Sequence, residues 1–139
     1  MPDRLLDINA ISAAMAGDAT FLLYLERVGA EGLLLTSVIV EGEIRFGLSR
    51  LPAGRKKRSL SSAFAQVRAS LHDILPVTPR TAARYAEVKS SIWARGRAIG
   101  ENDLWISATA LEHRLILVTN DRKLPAIDEL LIDYWAAPR

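Results

Sequence analysis

Four acidic residues, Asp7, Glu43, Asp103 and Asp121, occupy positions from which a folded chain could bring their carboxylates together. Asp7 directly follows the short apolar stretch Arg4–Leu6, and Asp121 comes just beyond the strongly apolar Leu115–Val118, through Thr119 and Asn120. Glu43 has Ile39, Val40, Phe46 and Gly47 as its helical neighbours three and four residues away, so it is expected to point along an apolar face. Asp103 stands at an expected helix start, followed by Leu104, Ile106, Ala108 and Leu111. Taken singly, each has an ordinary explanation: turn formation for Asp7 and Asp121, helix capping for Asp103, a partly buried ion pair for Glu43. Taken together they describe a different chemistry. Ionised carboxylates held within a few ångström raise one another's pKa, and a divalent cation reverses that cost. Ligation by oxygen alone selects Mg²⁺ or Mn²⁺, and the reaction that follows is phosphodiester hydrolysis by metal-activated water.

The other candidates carry less. Glu41 meets Arg45 at i+4, which an exposed ion pair explains. His72 and His113 are far apart and each near the end of an element, where interaction with a helix C-terminus accounts for them. Ser37 and Ser107 have no His–Asp arrangement to activate them, and the glycines form no phosphate-binding loop. Of Trp93, Trp105 and Trp135, only Trp105 lies close in sequence to a site acid, and packing is its expected role. The absence of cysteine excludes disulfides and thiolate metal sites. The net charge of +2 decides nothing, but basic residues gather in two stretches. One holds Arg45, Arg50, Arg55, Lys56, Lys57 and Arg58; the other holds Arg80, Arg84, Lys89, Arg95 and Arg97. Beside a carboxylate site they would suit a phosphate backbone.

The elements that must position these groups alternate. The patterning predicts strands at Arg4–Leu6, Leu33–Leu35, Asp73–Val77, Leu115–Val118 and Leu131–Tyr134. Pro76 favours an edge position for the third. Helices are expected over Ile8–Ala16, from Asp18 to about Val28, from Thr36 or Ser37 to about Arg50, and from about Arg55 to Leu71. Two more are expected from Pro79 to near Gly96 and from Asn102 or Asp103 to about Arg114, with a break at Gly29–Gly32. At 139 residues the chain fits one α/β domain, 1–139, with a largely parallel sheet. Ligands of such sheets gather beyond the carboxyl ends of the strands, which is where Asp7 and Asp121 fall. No signal peptide or spanning segment is read, so a cytoplasmic protein is expected.

Four stretches carry a resemblance. Leu5-Leu6-Asp7-Ile8-Asn9, Thr36-Ser37-Val38 through Glu43-Ile44-Arg45-Phe46-Gly47-Leu48, Ile99-Gly100-Glu101-Asn102-Asp103-Leu104, and Leu117-Val118-Thr119-Asn120-Asp121 occur in order across nearly the whole chain. The chain resembles the PIN-domain ribonucleases, in particular VapC-type toxins of bacterial toxin–antitoxin pairs. That resemblance implies a three-layer α/β/α sandwich with Asp7, Glu43 and Asp103 as the principal acids around Mg²⁺, Asp121 completing the quartet, and Asn9 and Thr119 as polar neighbours. It also implies RNA as substrate, a cognate antitoxin protein that occludes the cleft, and a homodimer. Two other classes compete with this one. A signalling receiver domain needs a phosphoacceptor near mid-chain, yet no Asp lies between Asp18 and Asp73. A PIN fold that binds RNA or protein without cutting is the alternative, resting on Ile8, which cannot offer a hydroxyl beside the metal.

Overall fold

A computed structural model describes residues 2–29 and 31–138. Five strands, β1 (Arg4–Leu6), β2 (Leu34–Ser37), β3 (Asp73–Leu75), β4 (Ile116–Thr119) and β5 (Ile132–Tyr134), pair in parallel in the order β3-β2-β1-β4-β5. Six helices connect them: α1 (Ile8–Ala16), α2 (Ala19–Val28), α3 (Val38–Ser49), α4 (Arg55–Ser70), α5 (Pro79–Ala94) and α6 (Glu101–Glu112). All three residues of β1 are buried, so side chains on both faces of the sheet are covered, as in a three-layer α/β/α sandwich. The core gathers Leu5, Ile11, Phe21, Val40, Ile106 and Val118, each essentially inaccessible. Among the described residues no single helix is long and apolar enough to cross a membrane; the apolar α1 and α2 are bent 109° against each other.

The sheet order fixes where a site can form. The chain steps outward from β1 to β2 and β3, then returns to the other side of β1 as β4. The crevice between the ends of β1 and β4 is therefore the topological switch point. Leu6 pairs with Val118, and the Asp7 amide donates to the Val118 carbonyl at 3.2 Å, so Asp7 and Thr119 leave the sheet side by side.

Several boundaries differ from the sequence expectation. β2 runs on through Thr36 to Ser37 because both side chains are buried in the sheet, and Ser37 alone caps α3, accepting from the Val40 amide. β3 stops before Pro76, which cannot donate to a ladder, and it does lie at the sheet edge. α6 begins at Glu101, with Gly100 as its cap, and ends at Glu112 rather than Arg114, which has a positive φ of 55°. Of the expected break at Gly29–Gly32, Ala30 lies outside the described residues. Gly32 is required there: a Cβ would stand 2.1 Å from the Pro2 carbonyl oxygen and 2.9 Å from Asp3 Oδ1.

At the amino end of the strands, buried Arg4 reaches across β4. Its Nε donates to Asp133 Oδ2 of β5 at 3.0 Å and its Nη2 to Glu31 Oε2 at 3.2 Å, while the Tyr24 hydroxyl donates to the same Asp133 oxygen at 2.7 Å.

Candidate metal centre

Asp7 is the fixed member of the acid group. It is 6% exposed, caps α1 by accepting from the Ala10 amide at 2.9 Å, and is held between β1 and the first turn of that helix. Burial lifts its pKa to about 6, against the lowering effect of hydrogen bonds from the Thr119 hydroxyl and the Ala10 and Asn9 amides; the charge of Asp103 raises it further. Asn9 thus enters through its backbone, its side chain being exposed. Thr119 does more than neighbour the site. Its buried hydroxyl accepts from the Asp121 amide at 3.0 Å and acts to lower the Asp7 pKa from the neighbouring strand exit.

Asp103 is the hub. It lies in the first turn of α6 and caps nothing, since the cap is Gly100 and involves no side chain, so the simple capping explanation fails. Burial and then the charge of Asp121 raise its pKa. Its own charge acts on both Asp7 and Glu43. Glu43 is half-buried; burial first and Asp103 second raise its pKa, and the Asn102 side chain lowers it. The inward-facing expectation for Glu43 is only half right, because Phe46 beside it is 62% exposed and Gly47 is exposed too. α3 buries Val40 and Ile44 instead, leaving Glu43 at the margin of the core face, turned toward α6. Asp121 is half-buried after β4, with its Oδ1 accepting from the Lys123 amide at 2.9 Å. A cleft of about 640 Å³ opens beside it, bordered by Arg122 and Lys123.

The geometry therefore brings the four acids to one end of the sheet, each within electrostatic reach of Asp103. Among the described residues none of them makes a salt bridge, whereas Glu41, set apart in the sequence, pairs with Arg68 and with Arg45 at 3.6 Å. As the side chains stand, no three described Asp, Glu or His residues could ligate one ion together. Uncompensated like charges hold carboxylates apart in this way, and Glu43, Asp103 and Asp121 have the exposure to move toward Asp7. The donor set is oxygen only, which fits a hard divalent cation. Ser107 supports that fit. It is fully buried one helical turn past Asp103, where helix geometry aims side chains back toward the N-terminus, and its hydroxyl has no hydrogen-bond partner among the described residues. Its i+4 spacing from Asp103 was visible in the sequence; Asn102 left no such signal.

The remaining candidates resolve simply. Trp105 stacks on Tyr85 with ring centroids 4.0 Å apart. His113 closes α6 beside Glu112, at 3.5 Å. Ile8 packs against the main core.

Comparison with known proteins agrees with this geometry. Residues 4–130 match the PIN domain family. The chain is 30% identical over 120 residues to VapC ribonuclease Y4jK of Sinorhizobium fredii, covering 84% of this chain and 85% of that one. It is 32% identical over 121 residues to toxin FitB of Neisseria gonorrhoeae, covering 84% and 86%. Among solved structures, VapBC2 from Rickettsia felis bound to a promoter DNA fragment superposes with a TM-score of 0.86 at 25% identity, over 96% of this chain and 99% of that one. FitAB bound to a DNA fragment gives 0.81 at 27% identity, over 97% of each.

Proposed function

The chain belongs to the PIN-domain family, and from that membership we propose that it is an endoribonuclease, the toxin of a type II toxin–antitoxin pair, acting in the cytoplasm. The observation that carries the reading is the coupling of Asp7, Glu43 and Asp121 through Asp103 at the sheet's switch point, with no basic side chain paired to any of them among the described residues. Asp7, Glu43, Asp103 and Asp121 would hold Mg²⁺ or Mn²⁺. Such an ion supplies Lewis acidity toward the phosphodiester and toward the attacking water.

The residues divide the remaining work. Asp7 is the rigid anchor, oriented by the Ala10 amide. Asp103 and Glu43, on facing helices, set the far side of the site. Asp121 closes it from the loop after β4, held by the Lys123 amide, with Arg122 and Lys123 nearby to attract phosphate. A binding module without cleavage would rest on Ile8, which packs against the core and supplies no hydroxyl to the site.

The partners belong to the same reading. A cognate antitoxin would occlude the cleft, as the relatives' solved complexes with antitoxins make reasonable. A homodimer would cover Trp93, which is 82% exposed beside a pocket of about 260 Å³ bordered by Ile92, Ile99 and Leu104. Cleavage of single-stranded RNA with and without Mg²⁺, in the wild type, Asp7→Asn and Asp103→Asn, tests the reading. Loss of at least a hundred-fold in both variants is expected, on the order of what removing a charged catalytic group costs. Equal, negligible cleavage in all three would leave only a binding module.

A further inference from the structure

Glu43, Phe46 and Arg50 stand at i, i+3 and i+7 and form one stripe along α3 and the Arg50 that caps it, leading away from the acids. By helix rise, Phe46 lies about 5 Å and Arg50 about 10 Å along the axis from Glu43. Phe46 is 62% exposed and joins neither core, whereas Phe21 and Phe64 are 0% and 6% exposed. The Arg50 guanidinium stands 5.6 Å from the centroid of its ring. Gly42, one turn before Phe46, and Gly47, one turn after Glu43, face open space, so no side chain from those positions shields the approach to the ring.

Beyond Glu43 the charge toward the end of the stripe is positive. Arg50, Arg55, Lys56, Lys57 and Arg58 make no salt bridge among the described residues, while on α5 Arg84 pairs with Glu87 and Lys89 with Glu101. These unpaired cations draw a polyanion to the α3–α4 end. The apolar surface here is little more than one ring, bordered by glycine and arginine, which suits a planar base better than a protein segment.

We propose that Phe46 and Arg50 form a nucleotide-binding subsite for RNA next to the acid group, a base stacking on the Phe46 ring and the Arg50 guanidinium taking a phosphate oxygen. The proposal rests on the ribonuclease reading above and adds to it the residues that hold the strand against Glu43. Base–aromatic stacking tolerates any base, so the subsite grips single-stranded RNA with little sequence preference.

Binding of a fluorescently labelled single-stranded RNA oligonucleotide to the Asp7→Asn protein separates the two claims. Adding Phe46→Ala should weaken binding about ten-fold, and Phe46→Trp should restore it. Adding Arg50→Ala should weaken it and reduce the slope of log affinity against log salt by about 0.7. In the cleaving protein, Phe46→Ala should raise KM more than it lowers kcat, with the melting temperature unchanged because the ring lies outside the core. If Asp7→Asn binds RNA and Phe46→Ala binds it equally well, the subsite is wrong while the ribonuclease stands. If Phe46→Ala instead loses only its hold on the co-expressed antitoxin, the ring is a protein contact and the proposal is overturned. If the wild type cuts no RNA and Asp7→Asn binds none, the ribonuclease reading falls and takes this subsite with it.

Discussion

The acids at the end of the sheet set a pH dependence that can be worked out residue by residue. Asp7 has an ordinary carboxyl pKa of 3.8 when unfolded and about 6 when folded. The folded state therefore holds the proton more tightly. Its contribution favours folding fully below about pH 3.8 and is lost as pH rises through about 6. Glu43 and Asp103 shift the same way. Urea unfolding of metal-free protein should show stability falling between pH 4 and 6.5, with Asp7 accounting for on the order of 3 kcal/mol. Asp7→Asn, which can still cap α1, should flatten much of that fall, and an unaltered slope in this variant would remove Asp7 as its source. Ser107→Ala should stabilise the metal-free protein by about 1–2 kcal/mol, since it deletes a buried hydroxyl without a partner; a loss of stability would mean that the hydroxyl is satisfied. At this scale Asp7 and Asp121 were legible, because a strand exit is marked by an apolar run that stops. Asp103's central place was not, because it depends on α6 starting at Glu101, and Gly100 is a weak start signal beside Asn102 and Asp103.

Elements were easier to locate than to bound. Periodicity found every strand and helix, but α3 shows why their faces are harder to read. Its sequence sets Val40 and Ile44 on one side and Phe46 on another, with Ile39 between, and the core takes the first pair and part of Ile39. Only the packed structure decides which stripe is left in solvent. The junction of β1 and β2 is set by a closer constraint. Asp3 Oδ1 accepts from the Leu33 amide at 2.8 Å, and the chain at Gly32 passes too close to Pro2 for any side chain. Gly32→Ala should force β2 away from β1 and cost about 1–3 kcal/mol in chemical denaturation. A change below about 0.5 kcal/mol, the scale of an ordinary surface substitution, would show that the approach relaxes freely.

For the molecule as a whole, strand order was the quantity that no local pattern contained. Alternating strands and helices imply a parallel sheet, but the return of β4 to the far side of β1 follows from long-range pairing, and it is this return that creates the crevice. The same return ties the two ends of the described chain together through Arg4 and Asp133. A guanidinium that is almost wholly enclosed needs its counter-ion, and losing a buried partner costs about 3–5 kcal/mol. A chain truncated before Ile132 should accordingly be degraded rapidly in limited proteolysis, while the full chain resists; equal resistance would show that β5 is dispensable. During synthesis this ordering acts as a timer. Arg4 is made early and its Asp133 partner 129 residues later, so β1 goes without this buried counter-ion until β5 has emerged.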